Sequence, residues 1–128
     1  TISRRLQDMD RDYDRFDWRI RRAIKLTRTE PGLIHDVDSL AKESGLSRAH
    51  FYRLFERSAR MTPHVYLNLL RMELAVQSVV HSSNSLSAVS DTLGFSAQGH
   101  FTRFFRDHAG VTPSEFRHVA RMGSPPYP

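Results

Sequence analysis

Arg53 and Arg103 stand in the same short setting, Phe51-Tyr-Arg53-Leu-Phe55 and Phe101-Thr-Arg103-Phe-Phe105, each with a small residue, Ala49 or Gly99, four positions earlier. On a helix the aromatic residues at i and i+4 share one face, together with Leu54 and Phe104, and the arginine falls on the opposite face. Rotating away from the aromatic face leads to Ala49, Tyr52, Arg53 and Glu56 in the first stretch and to Gly99, Thr102, Arg103 and Arg106 in the second. A guanidinium carries a planar fork of N–H donors that satisfies two acceptors at once, and a small residue one turn earlier lets such a helix approach a groove closely. That is the chemistry of recognition. Bond-breaking chemistry has no comparable foothold: there is no phosphate-cradling glycine loop, no nucleophile motif and no paired-carboxylate cleft, so no enzyme is expected. Cysteine is absent, which excludes disulfides and thiolate-bound zinc. The seven histidines, His50, His64, His100, His108 and His118 among them, form no His-Glu-x-x-His motif and scatter over the predicted helices. Neither a metal nor another cofactor is expected.

The elements that must hold these arginines repeat along the chain. Asp36-Val-Asp-Ser-Leu40-Ala-Lys-Glu-Ser-Gly45-Leu-Ser47 aligns with Ser85-Leu-Ser-Ala-Val89-Ser-Asp-Thr-Leu-Gly94-Phe-Ser96 at an offset of 49 residues. After one added residue, Phe51, Arg53, Phe55, Thr62, Pro63 and Tyr66 match Phe101, Arg103, Phe105, Thr112, Pro113 and Phe116. In each copy Asp36 or Ser85 is placed to cap a short helix, and Gly45 or Gly94 to end it in a left-handed turn. Ser47 or Ser96 is placed to cap the next helix. The turn Gly-apolar-Ser makes the two helices cross steeply, a helix-turn-helix, with Ala41 or Ser90 small enough for close contact at the crossing. Thr62-Pro63 opens a long helix with apolar residues at Val65, Tyr66, Leu69, Leu70, Leu74 and Val79, and Thr112-Pro-Ser-Glu115 is a capping box for a last helix.

The expected organisation is all-α. Residues 1–18 read as a charged linker or frayed helical lead-in, and 19–62 as the first helix-turn-helix subdomain, starting with a helix through Trp18, Ile20, Ala23 and Ile24 that stops at Pro31-Gly32. Residues 63–80 form one continuous linker helix, 81–121 the second subdomain, and 122–128 a disordered tail. The long helix spans about 27 Å against about 34 Å for one turn of B-DNA, so two reading helices could occupy successive grooves. The formal charge is +5, and residues 1–18 hold four Arg against five Asp, so the basic excess belongs to the globular part. A positive surface favours polyanions. No apolar run approaches bilayer length and no signal-peptide pattern is present, so the expected partner is not a membrane and the expected location is the cytoplasm.

With these motifs in place, the stretch from about Arg19 to Arg121 resembles the AraC/XylS family of bacterial transcription regulators. The resemblance is carried by Leu40-Ala41, Gly45-Leu-Ser47, Phe51, Arg53 and Phe55, and above all by Leu93-Gly-Phe-Ser96, Phe101, Arg103, Phe105 and Gly110-Val-Thr-Pro113. It implies two helix-turn-helix subdomains of homeodomain-like three-helix type, about seven helices in all, and sequence-specific binding of double-stranded DNA. The family's base-reading positions fall on Ala49, Tyr52 and Arg53, and on Gln98, Gly99, His100, Thr102 and Arg103. Phosphate contacts are expected from Lys42, Ser47, Arg48, Arg57, Arg60, Ser96 and Arg106. RNA polymerase is implied as a second partner, and a separate N-terminal effector or dimerisation domain is expected to precede this one. Two departures stand out: Arg60 occupies a position where the family has glycine, and Gly99 removes a side chain from the second reading face. The competing reading is a helical protein-interaction module, touching RNA polymerase or a partner regulator, with little DNA specificity of its own.

Overall fold

A computed structural model describes residues 2–30, 32 and 36–123. Among them every regular element is helical: α1 (Ile2–Arg11), a 3-10 turn (Tyr13–Arg15), α2 (Trp18–Thr29), α3 (Val37–Ser44), α4 (Arg48–Ala59), α5 (Pro63–His81), α6 (Leu86–Thr92), α7 (Gln98–Ala109) and α8 (Pro113–Arg121). The chain divides into two compact units, Thr1–Arg71 and Met72–Pro128, and α5 runs through the boundary. Helix α2 ends at Thr29; Pro31, expected to stop it, lies outside the described residues, as does the expected tail beyond Gly123. No described helix is long and apolar enough to cross a membrane.

The first unit holds one helix more than the expected pattern. Within residues 1–18, where the dominance of charges predicts a linker or frayed lead-in, Leu6, Met9 and Phe16 are all buried. Leu6 and Met9 sit three apart on one face of α1, and burying each such side chain contributes about 1.5–3 kcal/mol, enough to dock a short helix. Tyr13 Oη donates to the Arg21 carbonyl at 3.0 Å, and the Arg28 guanidinium pairs with Asp10 at 2.9 Å, so α1 is also tied to α2 by polar contacts. Helix α2 turns Ile20, Ala23, Ile24 and Thr27 inward. Trp18, expected with the apolar set, is 59% exposed at the first position of the helix. Asp17 caps it, accepting from the Arg19 backbone N–H at 2.9 Å, and the Arg19 guanidinium holds the Asp17 carboxyl below the usual carboxylate range.

The core of the first unit joins these residues to Val37, Leu40, Phe51, Phe55 and Tyr66, with Phe55 centred 5.6 Å from Phe51 and 5.5 Å from Tyr66. In the second unit Val89, Leu93, Phe101 and Phe105 are buried, and Phe105 meets the edge of Phe116 at 5.5 Å. Leu54 and Phe104, expected inside, are half-buried at the core margin. Phe104 instead stacks on Phe95 at 5.3 Å and His108 at 4.3 Å. Helix α5 is continuous over 19 residues, opened by Thr62, whose hydroxyl accepts from the Val65 N–H at 3.2 Å, with Pro63 in the first turn where no N–H is needed.

Candidate nucleic-acid interface

Each unit presents one helix whose two faces differ sharply, and the turn before that helix sets its direction. In the first unit Asp36 caps α3 by accepting from the Ser39 N–H, and Gly45 ends it at φ 76°. The Gly45 N–H donates to the Lys42 carbonyl and the Leu46 N–H to the Ala41 carbonyl. The second unit repeats the turn with one difference: Ser85 caps α6, but the helix ends on Leu93 and not, as expected, on Gly94, which follows it at φ 84°; the Gly94 N–H donates to the Asp91 carbonyl and the Phe95 N–H to the Ser90 carbonyl. A left-handed residue at this place costs an L side chain energy that glycine does not pay, which is why the turn falls at the two glycines.

Beyond the turn the copies diverge by one residue. Ser47 caps α4, its Oγ accepting from the His50 N–H at 3.2 Å. Ser96 does not cap α7, contrary to the sequence expectation: Ala97 occupies the cap position, with no side-chain hydrogen bond, and α7 starts at Gln98. The added residue moves the start of the helix one place on, leaving the Ser96 hydroxyl outside the first turn. It lies instead 2.9 Å from His100 Nδ1.

The faces expected to read bases emerge at matching positions. In α4, Phe51 and Phe55 are fully buried while Ala49 and Arg53 are exposed and Tyr52 is half-buried. In α7, Phe101 and Phe105 are fully buried while Gln98, Gly99, His100 and Arg103 are exposed and Thr102 is half-buried. A Cβ added at Gly99 would meet nothing within 4 Å, so packing does not demand this glycine, and its absence of side chain leaves the face bare. Tyr52 is not a free aromatic: the Arg48 guanidinium lies 5.7 Å over its ring on one side and His64 is centred 5.9 Å away.

The residues expected near phosphates are all exposed, but their surroundings differ. Lys42 and Arg57 carry no ion pair among the described residues, whereas Arg48 pairs with Asp38 at 2.9 Å. Arg60 caps α4 in the left-handed region at φ 58° and ψ 30°, the conformation its glycine counterpart Gly110 adopts at φ 83°. It lines a surface hollow together with Asp8 and Asp12 of the docked α1. Arg106 helps hold the Glu115 carboxyl below the usual carboxylate range, behind the larger effect of its hydrogen bonds within the Thr112 capping box. Sequence reasoning missed Arg117. Its Nε donates to the Val79 carbonyl at 3.0 Å and its two terminal nitrogens to Asn84 at 2.6 Å and Ser78 at 3.4 Å, so it closes the C-terminal end of α5. Among the described residues no three His, Asp or Glu gather as metal ligands. His108 Nδ1 donates to the Phe104 carbonyl at 2.8 Å, an ordinary local contact.

Comparison with known proteins gives this geometry a relationship. The family model described as "Helix-turn-helix domain" matches residues 40–118, more than half of the chain, including α4 and α7. A lactose operon transcription activator of Staphylococcus xylosus is 33% identical over 82 residues, which are 64% of this chain and 29% of that protein. A probable transcription factor, PqrA, of Proteus vulgaris is 33% identical over 86 residues, 67% of this chain and 70% of that protein. The chain spans about a third of the length of most of the curated relatives it matches. A crystal structure of a transcriptional regulator from Chromobacterium violaceum, one of the AraC-type DNA-binding domain-containing proteins, superposes with a TM-score of 0.65 at 28% identity, covering 80% of this chain and 91% of that one. On the family model and these relatives together, the chain belongs to the AraC-type family of helix-turn-helix DNA-binding domains.

Proposed function

We propose that the chain binds double-stranded DNA in the major groove, in a sequence-specific manner, as the DNA-binding part of a transcription regulator. The observation that carries this is the pairing of Arg53 with Arg103: both are exposed, at the same helical position, opposite fully buried phenylalanines. An α-helix with its side chains is about 10–12 Å across and the major groove about 12 Å wide, so such a face can enter it. The base-reading set is Ala49, Tyr52 and Arg53 in the first unit and Gln98, Gly99, His100, Thr102 and Arg103 in the second. Lys42, Ser47, Arg48, Arg57, Arg60, Ser96 and Arg106 are the candidate phosphate contacts.

The two faces differ in sequence, so the site is asymmetric, covers about two turns of DNA and takes one chain. Contact with RNA polymerase, and a preceding effector or dimerisation domain, belong to the same proposal for the longer protein. The protein-interaction reading has no separate observation in its favour. Selecting duplexes from a random pool and titrating the winners in gel shifts at several salt concentrations tests the proposal. A recovered motif, with affinity falling steeply as salt rises, is the expected result. No motif, or affinity indifferent to salt, would overturn it.

A further inference from the structure

Resting on that reading, we infer that the two units bind DNA by different physics: the first supplies the electrostatic anchoring and the second supplies discrimination with little counterion release. Residues 1–71 contain fifteen Lys and Arg against ten Asp and Glu, a net of +5, and residues 72–128 contain four against four, a net of zero with histidine neutral. The whole formal charge of the chain therefore sits on one of its two units.

The local chemistry sharpens the contrast. Of the four arginines in the second unit, Arg117 is committed to three backbone carbonyls at the end of α5. Arg106 is followed by the acidic Asp107. Arg121 lies in the last turn of α8, away from the reading helix in sequence. That leaves Arg103 on the reading face. The contrast lies in the reading helices and not in the helices before them, since α3 with Asp38, Lys42 and Glu43 and α6 with Asp91 both carry a net of −1. Helix α4 carries Arg48, Arg53 and Arg57 and is capped by Arg60, against Arg103 and Arg106 on α7.

Beside Arg103 the second unit presents short side chains, the uncharged Gln98 and Thr102, with a His100 ring held by Ser96 and the open position at Gly99. Neutral donors and close approach discriminate base edges but release few counterions, because release follows the number of phosphates neutralised by cations. In the first unit three cations, Lys42, Arg57 and Arg60, have no ion pair with a described residue and remain for phosphates, Arg48 being paired with Asp38. Arg106 alone plays that part in the second.

The experiment neutralises the DNA rather than the protein, so that folding is not at issue. In the selected duplex, methylphosphonate linkages replace the phosphates of one half-site at a time, and affinity is measured between 50 and 200 mM salt. The half-sites are assigned by the Arg53→Ala and Arg103→Ala variants, each of which relaxes discrimination in one half. Neutralising the half read by Arg53 is expected to reduce the salt slope by about 2.7 units, removing about 40-fold of salt-dependent affinity change over that range. Neutralising the half read by Arg103 should reduce it by about 1 unit or less, about 4-fold. Equal reductions, or a larger one in the Arg103 half, overturn the inference while leaving DNA recognition intact. Absence of salt-dependent binding to the unmodified duplex means instead that the DNA-binding reading itself has failed.

Discussion

Thr27 and Tyr66 join their hydroxyl groups at 2.7 Å in the core of the first unit, 39 residues apart in the chain. Thr27 Oγ1 also donates to the Ile24 carbonyl at 2.6 Å, so its proton is already used and the phenol is the donor between them. Burial pushes the Tyr66 phenol above its usual pKa, in keeping with a neutral hydroxyl that needs an acceptor. Removing the two partners should therefore have unequal effects. Tyr66→Phe leaves Thr27 bonded to Ile24 and is expected to cost about 1 kcal/mol, whereas Thr27→Val leaves the buried phenol proton without its acceptor, the Arg28 side chain beside it being only a donor, and is expected to cost up to about 3 kcal/mol. Urea unfolding of the two variants makes the comparison. Equal losses would mean that the bond runs in the other direction. The second unit offers a reference, since Phe116 stands where Tyr66 does and has no hydroxyl to satisfy.

Arg60 is the one described non-glycine residue with positive φ. An L residue pays about 1–2 kcal/mol for the left-handed region, and glycine recovers most of that while giving some back through a freer unfolded chain. Arg60→Gly should raise stability by about 1 kcal/mol, and Gly110→Ala, at the matching cap in the second unit, should lower it by a similar amount. Both are read as shifts in denaturant midpoint at unchanged m-value. A destabilised Arg60→Gly protein would show that the arginine makes a contact with the Asp8 and Asp12 hollow worth more than the strain.

Ser90 lies fully buried in α6, and its Oγ has no hydrogen-bond partner among the described residues. The matching residue in the first unit is Ala41, which fills the same role at the helix crossing with no polar atom to satisfy. Ser90→Ala is expected to stabilise the protein by about 1 kcal/mol, since leaving a buried hydroxyl unpaired costs about that much or more. Thermal unfolding would register it as a Tm rise of a few degrees. A fall in Tm would point to a water or a relaxed rotamer that satisfies the hydroxyl in solution.

What was legible in the sequence was what local chemistry dictates. Gly45 and Gly94 announced their turns because only a residue without Cβ sits easily at positive φ, and Phe51, Phe55, Phe101 and Phe105 announced their faces by spacing alone. The misplacement of Ser96 came from aligning two serines across an inserted residue: the cap depends on where the first helical turn starts, and Ala97 moved that by one. The packing of α1 was hidden because Leu6, Met9 and Phe16 are sparse among charges, and nothing local says that a neighbouring helix will bury them. Arg117 reaches carbonyls 33 to 39 residues away, so its role leaves no mark at its own position. In the same way the pairing of Arg48 with Asp38 bridges two helices, and a helical wheel drawn for α4 cannot show it.

The reading assignment itself is decided by Arg53→Ala and Arg103→Ala. Both side chains emerge opposite a fully buried phenylalanine pair, so neither truncation opens a cavity and both variants should fold normally. If each guanidinium forks onto a guanine, its loss removes about 1–3 kcal/mol of discrimination at one base pair, and the two affected positions lie in different halves of the site. Losing a phosphate contact looks different: affinity drops alike for all sequences and the salt slope falls by about one unit. Arg57→Ala supplies that second pattern for comparison. Since the two arginines belong to separate units, the double variant should lose close to the sum of the single losses, as distant sites without shared partners usually do. Competition binding against a panel of single-base-pair variants of the selected site reads both quantities at once. Should Arg53→Ala and Arg103→Ala weaken the operator and a scrambled duplex equally, the two arginines are phosphate clamps, and base reading must pass to their neighbours Tyr52, Gln98, His100 and Thr102.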